Sequence, residues 1–328
     1  MEFTAQGIPI IDLKPLIEPI IDDEHAVSRV AAQVVTAVTK VGSFYVRNHG
    51  IDEFFVESAF NDLLAYFAQP YEYKMEHALL DHNHVRGYVP FETQNVNAFM
   101  GRPDKPNDPV ERMVFGPISR AHPGVPENVW PERPITFKEN IQDFYTSFQN
   151  LSHLLMRVFA VALKTDDANY FYRRCRMGQH IMKANFYPSV SAPKPDQNER
   201  FAEHTDATLF TILATDENRG SLRVYKNNGE WVNADPVPGA LFVNLGDAMQ
   251  FVTNDQWEAT LHKVVWPEGA DIPDRLSLAF FVSMNGDTIM ECLESCVEPG
   301  EEPNYMPIPY QQYLAGNIER LSFQYDKE

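Results

Sequence analysis

Two histidines and one aspartate have the spacing that most directly suggests chemistry. His204 and Asp206 stand two residues apart at the start of an apolar stretch, FAEHTDATLFTILAT, and His262 stands in a second one, ATLHKVV. Side chains two apart on a strand point to the same face, so the first pair can act together. Two imidazoles and one carboxylate on a divalent metal leave positions open for small ligands, as in non-haem Fe(II) sites that react with O2. The alternative is two hydrogen-bonded histidines and a surface aspartate.

A second pair suggests a site for an anion. Arg275 and Ser277 open the segment RLSLAFFV, again two residues apart, so they share a face of the predicted strand. A guanidinium matches the planar geometry of a carboxylate, and the neighbouring hydroxyl adds a donor. An arginine that points into an apolar barrel is costly unless an anion meets it. That anion is either a ligand carboxylate or an internal Asp or Glu, and the residues alone leave both open.

The composition limits the classes of partner. The chain has 328 residues, of which 44% are hydrophobic, enough for a sizeable core. Its 27 basic and 46 acidic residues give a formal net charge of −19, which disfavours nucleic acid and anionic membranes. The three cysteines do not suggest a disulfide framework, and no stretch approaches 18 apolar residues. We therefore expect a cytoplasmic protein with no nucleic-acid or membrane partner.

Helical patterns dominate the first half of the chain. Apolar residues at a 3.6-residue period predict helices over 24–41 and 53–68, and a third that begins at a capping box formed by Thr136 and Glu139. The segment 81–135 is rich in proline and glycine, and it is predicted to form long loops across the surface.

Strand patterns dominate from residue 180 onward. Short strands alternate with turns, including a hairpin turn at 227–229 and a turn at Gly246-Asp247 to which we assign no chemistry. Strands at this spacing suggest a sandwich or a jelly-roll barrel. A C-terminal helix is expected near 309–321. We expect one compact unit made of three regions: a flanking N-terminal region at 1–175, a barrel at 176–290 and a C-terminal tail at 291–328.

Taken in order, these motifs resemble one enzyme family. His204-x-Asp206, His262 and Arg275-x-Ser277 are similar, in order and spacing, to the iron- and 2-oxoglutarate-dependent dioxygenases of the isopenicillin N synthase type. IPIIDL, GSFYVRNHGI, NFYP and GEWVNADPVPGALFVNLGD resemble further signatures, so the likeness covers most of the chain. The resemblance implies a mainly β protein with α additions. Its core would be a double-stranded β-helix, or jelly roll, with N-terminal and C-terminal helices packed outside.

The same resemblance implies roles for residues, position by position. It implies that His204, Asp206 and His262 bind Fe(II). It implies that Arg275 and Ser277 bind the distal carboxylate of 2-oxoglutarate. Asn185 and Tyr187 would lie near the cosubstrate, and Arg86 and Phe281 would contact the substrate. Without the resemblance, Arg86 is predicted to be a solvated loop residue and Phe281 a core residue.

The resemblance also implies an activity. The protein would be an oxidoreductase that uses Fe(II), 2-oxoglutarate and O2 to oxidise an unactivated C–H bond, with ascorbate as an in vitro reductant. The expected substrate is a small natural-product, amino-acid or peptide-like molecule, and the expected outcome is hydroxylation, desaturation or ring formation. The protein is expected to be a monomer or a weak homo-oligomer.

Three alternatives stay open at this point. An oxidase like isopenicillin N synthase would use O2 without 2-oxoglutarate and would hold a substrate carboxylate on Arg275 and Ser277. That enzyme carries a glutamine next to its C-terminus, whereas Gln324 lies further in. The other two alternatives are a zinc ion on the same ligands, and a non-catalytic jelly roll that binds a small molecule.

Overall fold

The computed structural model describes residues 1–18, 24–81, 84–118, 127–191, 199–269 and 271–322. The strands in chain order are β1 (Glu2–Phe3), β2 (Pro9–Asp12), β3 (Ser43–Arg47), β4 (Ala78–Asp81), β5 (His84–Val89), β6 (Glu111–Phe115), β7 (Ile181–Tyr187), β8 (Glu199–His204), β9 (Phe210–Thr215), β10 (Leu222–Tyr225), β11 (Trp231–Asn233), β12 (Ala240–Leu245), β13 (His262–Val265), β14 (Arg275–Val282), β15 (Ile289–Met290) and β16 (Ile308–Pro309). The helices are α1 (Lys14–Ile17), α2 (Glu24–Lys40), α3 (Glu53–Phe67), α4 (Tyr71–Met75), α5 (Val96–Phe99), α6 (Phe137–Ala162), α7 (Tyr170–Cys175), α8 (Asp247–Val252) and α9 (Tyr310–Ser322), with a 3₁₀ helix at Glu294–Cys296.

Two sheets pack face to face. Within the described residues, the larger sheet has the strand order β1-β2-β3-β12-β9-β14-β7-β6-β5-β4, and the smaller has the order β11-β10-β13-β8. Their inward faces meet in one apolar cluster, to which Tyr45, Tyr187 and Phe242 contribute from the larger sheet, and Val224 and Val264 from the smaller. Two largely antiparallel sheets that enclose such a core form the arrangement predicted for a jelly roll.

Helices cover the outer face of the larger sheet. The apolar stripe predicted on the third helix is buried along α6, at Phe137, Ile141, Phe144, Phe148, Leu151 and Leu155. Helices α2 and α3 pack on α6, and all three share an apolar cluster with the strands beneath them. The C-terminal helix α9 lies close to its predicted position, and its first residue, Tyr310, is buried. Helices from both ends of the chain therefore pack outside the barrel, as predicted.

The prediction of long loops over 81–135 is wrong where β5, the short helix α5 and β6 lie. Strands β5 and β6 lie in this segment and extend the larger sheet beside β7. The sequence pattern does not predict β6, because this strand begins with two charged residues, Glu111 and Arg112. Their side chains point to opposite faces of the sheet. Both are buried, and Glu111 accepts hydrogen bonds from Lys74 Nζ (2.7 Å) and from the Tyr88 hydroxyl (2.5 Å). Internal partners, not water, therefore satisfy the charge of Glu111.

The capping box predicted at the start of α6 is also wrong. The hydroxyl of Thr136 donates to Asp62 Oδ1 (2.9 Å), and Asn140 Nδ2 donates to Asp62 Oδ2 (2.7 Å). Thr136 makes no side-chain hydrogen bond to the first turn of its own helix. It therefore ties α6 to α3.

The ion pair between Glu111 and Lys74 carries an expectation for stability. We expect Glu111→Leu to lower the free energy of unfolding by about 3–5 kcal/mol, because the ammonium of Lys74 would stay buried without its partner. Urea unfolding followed by circular dichroism measures the loss. As a control, Glu203→Gln removes a more exposed ion pair with Arg102 and should lower the free energy of unfolding by less than about 1 kcal/mol. Equal losses in the two variants would contradict this account of the pair.

Candidate metal centre and anion site

His204, Asp206 and His262 meet inside the barrel although they come from two distant segments. His204 ends β8, His262 begins β13, and the two are register partners in the smaller sheet. Their Nε2 atoms lie 3.8 and 3.9 Å from Asp206 Oδ1. The three donor atoms all lie within 4.8 Å of one another. In the part of the chain that the structure describes, no other three His, Cys, Asp or Glu side chains converge in this way.

Backbone hydrogen bonds orient both imidazoles. Nδ1 of His204 lies 2.8 Å from the carbonyl oxygen of Ala202, and Nδ1 of His262 lies 2.8 Å from that of Thr260. A carbonyl oxygen only accepts, so each Nδ1 carries the proton and donates it. Nε2 is therefore the ring nitrogen left for a metal in each imidazole, and both Nε2 atoms face Asp206.

Two side chains orient the carboxylate of Asp206. Its Oδ2 accepts hydrogen bonds from Thr211 Oγ1 (2.6 Å) and Asn244 Nδ2 (2.8 Å). Thr211 and Asn244 are register partners on β9 and β12, and both are buried. Oδ1 is left facing the two imidazoles. Outer hydrogen bonds of this kind fix the orientation of metal ligands.

Burial and neighbouring groups set the charges of the cluster. Burial, and then the nearby His262, lower the pKa of His204 to about 3, so its imidazole is neutral near pH 7. Burial alone would raise the pKa of Asp206. The two imidazoles and the hydrogen bonds from Thr211 and Asn244 outweigh that effect, and the pKa of Asp206 lies below its usual value. The cluster thus offers a carboxylate beside a neutral imidazole.

The donor set fits a divalent transition metal. The Nε2–Oδ1 distances of 3.8 and 3.9 Å exceed the separation of about 3.0 Å between adjacent donors bonded at about 2.1 Å to one octahedral ion, so a bound ion would draw the side chains together by about 1 Å. Two imidazoles and one carboxylate are the protein ligands of facial non-haem Fe(II) sites. Zinc accepts the same ligand types, so the donor set by itself does not choose between the two metals.

The backbone around Asp206 differs from the sequence-based expectation. The predicted single strand over 201–215 is two strands in different sheets, because β8 ends at His204 and β9 begins at Phe210. Asp206 lies in the turn between them, so it does not share a strand face with His204. The two side chains still meet because the chain crosses from the smaller sheet to the larger one at this point.

Gly246 and Asp247 brace this crossing, and they form the start of α8 after β12, not the predicted turn between strands. The backbone N–H of Asp247 donates to the carbonyl oxygen of Asp206 (2.7 Å), and that of Gly246 donates to Leu209 (3.0 Å). A Cβ at position 246 would lie 2.1 Å from the carbonyl oxygen of Thr208 and 2.6 Å from that of Asp206. Only glycine permits this approach. The expectation of a turn without chemistry therefore missed its structural role at the cluster.

Removing an outer hydrogen bond should weaken metal binding measurably. We expect Asn244→Ala to lower the affinity for Fe(II) by about 10–100-fold, because Asp206 would lose one of the two donors that orient it. Anaerobic titration with Fe(II) measures the change. The matched control is Asn227→Ala in the β10–β11 hairpin, whose side chain bonds to backbone carbonyls of α2. Wild-type affinity in Asn244→Ala would contradict the orienting role.

Arg275 and Ser277 form the candidate anion site. Both are 2% exposed, and Arg275 Nη1 donates to Ser277 Oγ (3.2 Å). Among the described residues, no carboxylate forms an ion pair with Arg275, so the internal partner left open by the sequence is not seen there. A buried guanidinium that lacks a carboxylate partner, with a hydroxyl beside it, is suited to a ligand carboxylate.

Tyr187 and Asn185 lie directly opposite this pair on β7. Tyr187 is the register partner of Arg275, and Asn185 is the register partner of Ser277. The Arg275 guanidinium lies 5.4 Å from the centre of the Tyr187 ring, and Asn185 Oδ1 accepts a hydrogen bond from Arg112 Nε (2.9 Å). Burial raises the pKa of Tyr187, so its phenol stays neutral. The structure therefore brings the four residues together on one wall of the barrel.

The two candidate substrate residues occupy different positions. Phe281 follows Arg275 and Ser277 on the same face of β14, at the far end of that strand. Arg86 is a buried residue of β5, so the expectation of a solvated loop arginine is wrong. Its guanidinium lies over Gly116, where a Cβ would come within 2.5 Å of Nε. Burial lowers the pKa of Arg86.

Family comparisons agree with the motifs. Residues 178–283 match the family described as the 2OG-Fe(II) oxygenase superfamily, and residues 8–133 match the one described as non-haem dioxygenase in morphine synthesis N-terminal. The first match contains all the candidate iron ligands and the Arg275–Ser277 pair.

Two named relatives align along nearly the whole chain. A homoarginine-6-hydroxylase of Glycine max is 29% identical over 326 residues, which cover 95% of this chain and 96% of that protein. A 2-oxoglutarate-Fe(II) type oxidoreductase, ppzC, of Metarhizium majus is 29% identical over an alignment of 345 positions, gaps included. The alignment covers 96% of this chain and 88% of that protein.

Solved structures show the same fold. A full-length Neurospora crassa protein, solved in complex with alpha-KG, superposes with a TM-score of 0.84 at 29% identity and covers 96% of each chain. JOX2 in complex with 2OG, Fe and JA superposes with a TM-score of 0.77 at 25% identity, over 95% of this chain and 85% of that one. These likenesses extend from the N-terminal helices to the barrel. The chain therefore belongs to the 2-oxoglutarate- and Fe(II)-dependent oxygenases, the family that its motifs predicted.

Proposed function

We propose that this oxygenase binds one Fe(II) through His204, Asp206 and His262, and holds the distal carboxylate of 2-oxoglutarate on Arg275 and Ser277. The observation that carries the proposal is the convergence of two Nε2 atoms and one carboxylate oxygen, all left free by the hydrogen bonds around them. The buried guanidinium of Arg275, which forms no ion pair with a carboxylate in the described part of the chain, supports the proposed binding of 2-oxoglutarate.

When bound, Fe(II) would supply a strong oxidant from 2-oxoglutarate and O2, with one oxygen atom entering succinate as CO2 leaves and the other available to the substrate. The protein's own residues position the reactants. Arg275 and Ser277 fix the cosubstrate by its far end, and Asn185 and Tyr187 line the wall beside it. The apolar cluster between the sheets limits access of water to the cavity.

The substrate is proposed to be a small amino-acid or natural-product molecule that is oxidised at a C–H bond. The relatives support this class, because they include a homoarginine-6-hydroxylase, and the Neurospora crassa protein has also been solved in complex with thymine. The alternative is an oxidase that uses O2 without 2-oxoglutarate. Gln324, the residue that bears on that alternative, lies outside the described residues.

We also propose that the protein is a monomer or a weak homo-oligomer in the cytoplasm, without a nucleic-acid partner. Its net charge of −19 and its three free cysteines support this. None of the described helices combines the length and the apolar character that a bilayer crossing requires.

Succinate formation tests the proposed activity. The purified protein is incubated with Fe(II), ascorbate, 2-oxoglutarate and O2, with homoarginine, thymine and a metabolite extract as substrate sources. We expect succinate in the aerobic samples only, at a higher rate with at least one source. Consumption of O2 without 2-oxoglutarate would indicate the synthase-like alternative. Neither succinate nor O2 consumption would indicate a binding protein.

A further inference from the structure

Lys183 places a second positive charge in the cavity, away from Arg275. It lies on β7 two residues before Asn185 and four before Tyr187, so all three share the cavity face. Its register partner on β14 is Ala279. The ammonium of Lys183 lies 5.0 Å from the centre of the Phe281 ring. The ammonium of Lys183 therefore lies near the Phe281 end of β14, while Arg275 lies at the opposite end.

The ammonium of Lys183 differs from those of three comparable lysines, because it forms no ion pair with a carboxylate of the described residues. Three other shielded lysines each form an ion pair: Lys74 with Glu111, Lys226 with Glu230, and Lys263 with Glu199. No carboxylate of a residue within the described ranges lies at ion-pair distance from Lys183. Asp206 acts on it electrostatically, but one oxygen of Asp206 is hydrogen-bonded and the other faces the imidazoles.

More positive charge lies around Lys183. Arg112 is on the cavity face of β6, where it bonds to Asn185 and Gln94 and its guanidinium lies 4.7 Å from the centre of the Phe201 ring. Burial, and then the charge of Arg112, lower the pKa of Lys183 to about 8. Burial and the neighbouring guanidinium of Arg112 both disfavour this ammonium, so a bound anion would be favoured.

We propose that Lys183, with Arg112 beside it, binds a carboxylate of the primary substrate. This inference rests on the proposed function, since it names the anchor of the substrate in the same cavity. The carboxylate would form a charge-assisted hydrogen bond with the ammonium, in a place shielded from water. The rest of the substrate would then lie between Phe281 and the histidine–aspartate cluster. Arg275 would remain the site for the distal carboxylate of 2-oxoglutarate.

Matched acids and amides test the proposal. Wild-type protein with Fe(II) and 2-oxoglutarate, kept anaerobic, is titrated calorimetrically with three acids: homoarginine, indole-3-acetate and benzoate. Each is compared with its primary amide. We expect at least one acid to bind about 10–100-fold more tightly than its amide, as a charge-assisted bond predicts. The preference should fall below about threefold in Lys183→Met and persist in Lys183→Arg. No preference in the wild type, or an undiminished one in Lys183→Met, would overturn the inference.

The same titrations separate this inference from the proposed function. Iron content and 2-oxoglutarate affinity are measured on each preparation, and Lys183→Met should leave both within about threefold of wild type. If that variant loses affinity for 2-oxoglutarate instead, the ammonium serves the cosubstrate and the inference is wrong. If the wild type binds neither iron nor 2-oxoglutarate, the proposed function itself is wrong.

The pH dependence of acid binding gives an independent readout. The charged and titratable groups that act electrostatically with Lys183 are Arg112 on β6, Arg86 on β5, and Asp206 and His204 at the cluster, and its register partner on β14 is the uncharged Ala279. Of these groups, the ammonium is the one expected to lose its charge near pH 8. The preference for the acid should therefore be full below about pH 8 and decline above it. In Lys183→Arg the preference should persist above pH 8, and a decline there equal to that of the wild type would contradict the assignment.

Discussion

Asp206→Ala is expected to abolish iron binding and 2-oxoglutarate turnover. The variant removes the one anionic donor of the cluster and leaves two imidazoles without a charge to offset a divalent ion. Loss of an outer hydrogen bond to a ligand costs about 10–100-fold, so loss of the ligand itself should cost more, at least about 10³-fold in turnover. Iron content and succinate formation measure the two effects.

A matched control keeps this expectation specific. Asp255→Ala removes a carboxylate that accepts hydrogen bonds from Tyr305 and Asn304 near the C-terminal segment, outside the cavity. It should retain its iron and most of its turnover. If Asp206→Ala kept one iron per chain and turned over within tenfold of wild type, Asp206 would not be a ligand.

Arg275→Leu is expected to raise the KM for 2-oxoglutarate by at least about 100-fold while the iron content stays unchanged. Breaking a buried charge pair costs about 3–5 kcal/mol, and in the complex Arg275 would be the partner of the distal carboxylate. Arg275→Lys should give an intermediate KM, because a lysine keeps the charge but loses the planar fork. Succinate kinetics at varied 2-oxoglutarate concentrations measure both.

Stability provides a second readout for Arg275. In the protein without cosubstrate, the guanidinium is buried with a hydroxyl but no described carboxylate partner. Its replacement by leucine should therefore leave the melting temperature unchanged or raise it. A large fall in the melting temperature together with a normal KM would mean that Arg275 is a structural residue.

The sequence predicts the metal cluster better than it predicts the backbone that holds it. The spacing of His204 and Asp206 predicts one strand face, yet the chain leaves the smaller sheet between them and enters the larger one. The two side chains still converge, because a turn and a register partnership with His262 take the place of the shared strand. Local spacing indicated proximity here without indicating its cause.

No sequence pattern indicates the two residues that orient Asp206 by hydrogen bonds. Thr211 and Asn244 are single polar residues in apolar strands, and nothing local shows that both reach Asp206. The position of Lys183 is indicated by the sequence, because Lys183, Asn185 and Tyr187 lie two residues apart along β7. That alternation predicts that it shares a strand face with them.

The charged strand β6 shows why pattern analysis fails at buried ion pairs. Glu111 breaks the apolar pattern that predicts a strand, but Lys74, far away in sequence, neutralises it. The period-2 rule assumes that charge faces water. Where a charge faces a partner instead, the partner is visible only once the chain has folded.

A crystal structure grown anaerobically with Fe(II) and 2-oxoglutarate tests the central claim most directly. Anomalous scattering at the iron edge should locate one ion bonded to Nε2 of His204, Nε2 of His262 and Oδ1 of Asp206, with the distal carboxylate of 2-oxoglutarate on Arg275 and Ser277. An ion bound elsewhere, or no iron between these three side chains at saturating concentration, would contradict it.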